Sequence, residues 1–86
     1  MRNQVTFQTE DIFSIMGRGT VVTGKLIDGF LRKGMKTNIN GKQSEILAIE
    51  AQNKSLESLT TGMVAGLLLS NVNKNDIQKG NSYFFE

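Results

Sequence analysis

Residues 17–26 read GRGTVVTGKL, and two incompatible structures can be drawn through them. From Gly19 the order is Gly, four residues, Gly24, Lys25, the spacing of a loop whose backbone N–H groups cradle phosphate. Leu26, however, stands where that loop needs a hydroxyl for magnesium. The four intervening residues decide the matter. Thr20, Val21, Val22 and Thr23 are all β-branched, so they resist the turns of a phosphate nest and favour extended backbone. No helix follows Lys25, because Leu26, Ile27 and Asp28 run straight into Gly29. The stretch is therefore a strand over residues 20–28, entered through a glycine-bracketed turn over residues 16–19. Thr20, Val22, Gly24 and Leu26 share one face of it, and Lys25 marks the opposite face as the outward one. Gly24 then lies on the enclosed face, where a strand glycine marks a barrel bend or a close backbone approach.

Working outward, the same short β-branched and aromatic runs recur, and no window of a dozen residues carries a helical stripe. Residues 5–15 make a first strand whose alternation breaks near Glu10 and Asp11, which predicts a bulge. The FLRKG segment is a loop that drops Phe30 or Leu31 onto the barrel end. Asn40-Gly41 is a hairpin signal joining residues 35–40 to 42–50, because both tolerate positive φ. Residues 51–62 are a long polar connection with room for one helical turn. Residues 63–71 form the most apolar strand, 72–80 a connector anchored by Ile77, and 82–85 a closing strand. Six short strands with no room for a helical layer predict an all-β, small closed six-stranded β-barrel, read as one unit over residues 1–86.

Size and composition exclude several function classes. An 86-residue chain buries only somewhat more than ~60% of its unfolded surface, too little for the repeated strand-helix-strand units of a nucleotide-hydrolysing domain. Cysteine and histidine are both missing, which removes disulfides, thiol nucleophiles, imidazole bases and the usual metal sets, so neither metal nor cofactor is expected. Ten Lys and Arg against eight Asp and Glu give a net charge of +2, dispersed rather than gathered into a basic patch. The longest apolar run, residues 63–69, is too short to span a bilayer, and the N-terminus lacks a signal-like stretch; a soluble, cytoplasmic chain without membrane contact is expected. Residues 73–76 spell NKND, close to the base-reading NKxD signature of GTPases, but no buried parallel strand precedes them. They read more simply as a polar turn in which Asn73 or Asn75 caps a short helical turn around Asp76 and Ile77.

Read as turn plus strand, EDIFSIMGRGTVVTGKLIDGFLRKG over residues 10–34 resembles the second domain of translational GTPases of the elongation factor Tu class. The likeness continues more loosely through residues 46–50, through residues 61–69 with Gly62 and Gly66 in place, and through Asp76, Ile77 and Gly80. The resemblance implies a Greek-key barrel of six strands. It implies no GTP binding by this chain, since the GTPase domain is not in this sequence; a barrel standing alone and a piece of a longer factor both remain open.

For function the resemblance implies a non-catalytic translation-factor module that contacts RNA, either tRNA or ribosomal RNA on the ribosome. In tRNA-carrying members a glutamate matching Glu50 and a basic residue three places on hold the terminal nucleotide; here Asn53 fills the second position. The candidate contacts are Arg18, Lys25, Glu50, Asn53 and Lys54, set against the plainer reading of Glu50 and Arg18 as solvated surface charges. Gly17, Gly19, Gly24, Gly62 and Gly66 are assigned to turns and bends. The competing reading is a protein-interaction barrel, docking on a GTPase domain in trans through the apolar Phe30 and Leu31 segment.

Overall fold

The computed structural model describes residues 4–86, so the first three residues of the expected unit lie outside the described residues. Nine strands follow one another: β1 (Val5–Ile15), β2 (Gly19–Asp28), β3 (Phe30–Arg32), β4 (Lys36–Ile39), β5 (Lys42–Ala51), β6 (Lys54–Leu56), β7 (Ser58–Thr60), β8 (Val64–Leu69) and β9 (Ser82–Phe85). Six of them run side by side in the order β4-β5-β8-β2-β1-β9, every neighbouring pair antiparallel. The sheet curls until its two ends lie side by side, hydrogen-bonded among the described residues at one residue pair. There the Lys36 N–H donates to the Glu86 carbonyl at 2.8 Å and the Glu86 N–H donates to the Lys36 carbonyl at 2.9 Å. The result is the expected all-β six-stranded barrel, nearly closed.

Alternation builds the core. On β2 the Thr20, Val22, Leu26 set is buried and Lys25 and Ile27 are exposed, as the face assignment requires. Phe7, Leu26, Leu31, Ile39, Ile46, Ile49, Leu59 and Leu67 are all essentially inaccessible, and each such side chain contributes about 1.5–3 kcal/mol by leaving water. The register of β1 against β2 slips between Thr9 and Asp11, which is the bulge expected beside Glu10. It bends β1 over β2 where Gly24 sits. A Cβ on Gly24 would overlap the Gln8 carbonyl oxygen and stand 2.9 Å from the Phe7 ring, so here the missing side chain is what lets two backbones approach.

Two expectations need correction. The FLRKG segment is not a loop: Phe30–Arg32 pairs with Ser58–Thr60 as a separate two-stranded ribbon capping the barrel end. Of its two apolar residues, Leu31 is the one driven inside, against Leu59, while Phe30 stays about half exposed. Nor do residues 51–62 hold a helical turn. Gln52 and Asn53, both at positive φ (52° and 63°), make a tight reversal that folds β6 back on β5, and the chain then passes directly into β7. The Asn40-Gly41 turn does have positive φ at both positions (52° and 79°), as its sequence demands.

The NKND residues are committed to structure. Lys74–Asp76 is one 3-10 turn with Asn73 at its N-cap. The Asp76 carboxylate accepts from the Asn73 backbone N–H (2.8 Å), from Asn40 Nδ2 (2.9 Å) and from Lys42 Nζ (2.9 Å), tying the β4–β5 hairpin to the connector. The Asn73 N–H first, then the Lys42 and Asn40 side chains, hold its carboxyl well below the usual carboxylate range. A carboxyl lowered on folding stabilises the barrel above its unfolded pKa of about 4, and that contribution drains away as pH falls below it. Acid titration followed by circular dichroism should therefore show stability falling from about pH 4 downward. Asp76→Asn should be less stable at neutral pH and flatter across that acid range; an unchanged acid profile would show the clamp to be energetically idle.

Candidate nucleic-acid interface

The turn between β1 and β2 carries Arg18 out over the barrel wall. Gly17 (φ 80°) and Gly19 (φ 130°) bracket it, and the Arg18 N–H closes it on the Ile15 carbonyl at 3.0 Å. A Cβ on Gly17 would meet nothing within 4 Å, so glycine is needed there for its left-handed backbone and not for space. The turn places the Arg18 guanidinium 3.5 Å from Glu50 Oε2, across β8 on β5. Both side chains are about half exposed, so the pair adds under about 1 kcal/mol to stability and stays free to exchange partners.

Beneath that pair the outer wall is built in rows that the strand register fixes. One row runs Phe13, Val21, Leu68, Ala48 across β1, β2, β8 and β5; the next runs Asp11, Thr23, Gly66, Glu50. The first row is apolar, with Phe13 47% exposed, and Ile15 (38%) continues it toward the turn. The second row is interrupted. Gly66 lies mid-strand with ordinary backbone, and a Cβ there would touch Val21 Cγ1 at 3.5 Å, Glu50 O at 3.8 Å and Thr23 Cγ2 at 3.8 Å, all normal packing distances. Neither backbone angle nor close approach demands glycine at 66. What its bare Cα does is leave that point of the wall without a side chain, beside the apolar Val21–Leu68 row and next to Glu50 and its partner Arg18.

Such a surface suits an unstacked nucleobase with its sugar and phosphate. The apolar row can lie against a base face, a carboxylate accepts from ribose hydroxyls, and a guanidinium meets phosphate. Lys25 sits on the same outer face one row beyond Thr23, opposite Val64 and about 7 Å along the strand. Beyond it a hollow is lined by Ala51, Gln52, Lys54, Leu56, Met63 and Val64. Arg18 and Glu50 are thus brought together, and Lys25 and Lys54 lie toward the neighbouring hollow. Asn53 occupies the left-handed second position of the β5–β6 turn, a place that its side chain type suits on backbone grounds alone. Gly62 (φ 96°) donates its N–H to the Leu26 carbonyl at the entrance to β8, in a turn.

The apolar row was the part missed from sequence. Val21 and Leu68 read there only as strand residues, and the cross-strand register is what sets their row beside Glu50. A half-legible signal existed in Gly66, a glycine inside the most apolar strand. Among the described residues no helix is long and apolar enough to cross a membrane.

Comparison with known proteins places this geometry. The family model for elongation factor Tu domain 2 matches residues 19–83. Among solved structures, the bacterial selenocysteine-specific elongation factor EF-Sec superposes with a TM-score of 0.83 at 19% sequence identity, a likeness of fold that covers 95% of this chain. The chain spans 14% of the length of that factor's chain.

Proposed function

Since the chain belongs to the elongation factor Tu domain 2 family, we propose that it is a non-catalytic binding module of translation that holds an unpaired RNA nucleotide on its outer wall. The base lies against the wall over Gly66, Val21 and Leu68, Glu50 accepts from the ribose hydroxyls, and Arg18 turns from Glu50 to the adjoining phosphate. The observation that carries this reading is the Arg18–Glu50 pair, 3.5 Å apart, beside the exposed apolar row and the side-chain-free Gly66, in a barrel of this family. Lys25 and Lys54 extend the cationic track, and the chain works in the cytoplasm, where tRNA and ribosomal RNA are met. GTP chemistry belongs to a separate domain.

A titration of the labelled protein with a short RNA hairpin carrying a single-stranded 3′ end tests it. Affinity should fall linearly on a log-log salt plot, with a slope of about 0.7 per phosphate neutralised on single-stranded RNA. Arg18→Ala should reduce that slope by about one contact and weaken binding of every sequence alike. Failure to bind at low salt would sink the reading. A second reading rests on Ile27 and Phe30, 43% and 49% exposed, and Met63 at 36%: these fit a protein neighbour such as a GTPase domain. Protection of those three residues on adding such a domain, with the RNA titration flat, would favour it.

A further inference from the structure

The Asn40-Gly41 turn joining β4 to β5 holds a chemical conflict. Of the eight asparagines in the chain, Asn40 alone precedes glycine. Where the next residue has no side chain to obstruct it, its backbone nitrogen can attack the asparagine carboxamide and expel ammonia. Gly41 is exposed, and a Cβ built on it would meet nothing within 4 Å, so bulk does not protect the turn. Hydrogen bonding does. Asn40 Nδ2 donates to Asp76 Oδ1 at 2.9 Å, which fixes the carboxamide toward the connector and away from the Gly41 nitrogen. Asp76 is itself held by Lys42 Nζ at 2.9 Å and by the Asn73 N–H at 2.8 Å. The attacking species is the Gly41 amide after loss of its proton, an anion, and a carboxylate beside it raises the cost of forming that charge. Lys42, the cation that would offset this, is engaged with Asp76.

We infer that Asn40 is a deamidation site timed by the Asp76 clamp: it persists while the connector is docked and converts when the connector lifts. The only co-reactant is water. Solvent base removes the Gly41 amide proton, the nitrogen bonds to Asn40 Cγ, the Cγ–Nδ2 bond breaks, and the departing nitrogen takes up a proton to leave as ammonia. Water then opens the resulting ring at one of its two C–N bonds, its hydroxyl going to carbon and its hydrogen to nitrogen. Opening at Cγ leaves aspartate at position 40; opening at the main-chain carbonyl leaves isoaspartate, whose backbone runs through Cβ and Cγ. Either product lacks the Nδ2 donor and sets a carboxylate against that of Asp76. Isoaspartate also lengthens a two-residue turn whose positive φ values (52° and 79°) suit an ordinary Asn-Gly. Conversion thus works as a ratchet, since it removes the contact that had held the connector down.

Incubation of the full chain in mildly alkaline buffer, with conversion at each asparagine followed by peptide mapping and mass spectrometry, is the test. Unfolded in urea, Asn40 should convert faster than any other asparagine. In the folded chain it should convert about tenfold more slowly than that, or slower still. Asp76→Ala should raise the folded rate about fivefold or more above that of the parent brought to equal stability with urea. In the converted chain, separated by its added negative charge, the Asp76 and Ile77 amides that bond to Asn73 and Lys74 should exchange about tenfold faster or more. Should Asp76→Ala not fold, the parent decides alone: its conversion rate should rise less steeply with urea than global unfolding does, because lifting the connector exposes less surface. Three outcomes overturn the inference: equal rates in the folded and unfolded chain, Asp76→Ala no faster than the parent at matched stability, or a urea dependence as steep as that of global unfolding.

Discussion

Gly24→Ala is expected to lower the unfolding free energy by about 3 kcal/mol or more, the heaviest loss of any alanine substitution at a glycine in β2 or β8. The added carbon falls on the Gln8 carbonyl, 2.9 Å from the carbonyl carbon and 2.9 Å from Phe7 Cε2. None of these can move aside cheaply. The Gln8 backbone is held between Lys25 and Ser82 on neighbouring strands, and Phe7 is fully buried in the core. Relief requires β1 to lift from β2 at its bulge, which unseats Phe7 and Leu26 together. Urea unfolding followed by fluorescence of Tyr83 or by circular dichroism measures the loss, and a change under about 1 kcal/mol would show that the bulge relaxes freely.

Gly66→Val is expected to do the opposite: to leave stability within about 1 kcal/mol of the parent and to cut RNA affinity at least tenfold. The extended backbone accepts a β-branched residue, and a Cβ there meets its nearest neighbours, on Val21, Thr23 and Glu50, only at ordinary contact distances. The side chain would stand on the wall between Glu50 and the apolar row, where the base is proposed to lie. Paired unfolding and RNA titration separate the two effects. Retained affinity with retained stability would move the nucleotide elsewhere on the barrel.

These two glycines also show how far the sequence can be read. β2 was legible because four consecutive β-branched residues exclude a phosphate loop, and Lys25 among them orients the faces. The bulge was legible because alternation visibly fails at Glu10 and Asp11. In both cases the signal lies within a few residues of the feature. Residues 51–62 were misread because the reversal at Gln52 and Asn53 has no glycine to announce it, and because β6 and β7, at three residues each, are too short to display a period. The ribbon of β3 with β7 joins segments far apart in the chain, and only packing reveals it. The same holds for the site. Arg18 and Glu50 could be named singly, but their meeting across β8 depends on register, which propensity does not encode.

The pairing of β1 with β9 has a consequence for how the barrel is made in a cell. β1 is synthesised first and finds one neighbour at once, in the adjacent β2. Its other edge, along Val5 to Gln8, can be covered only by β9, made last. While the intervening chain is being synthesised, Phe7 has a wall on one side only. Until Ser82 to Phe85 are available, the sheet is half rolled and the β1 edge stands open to strands of neighbouring chains.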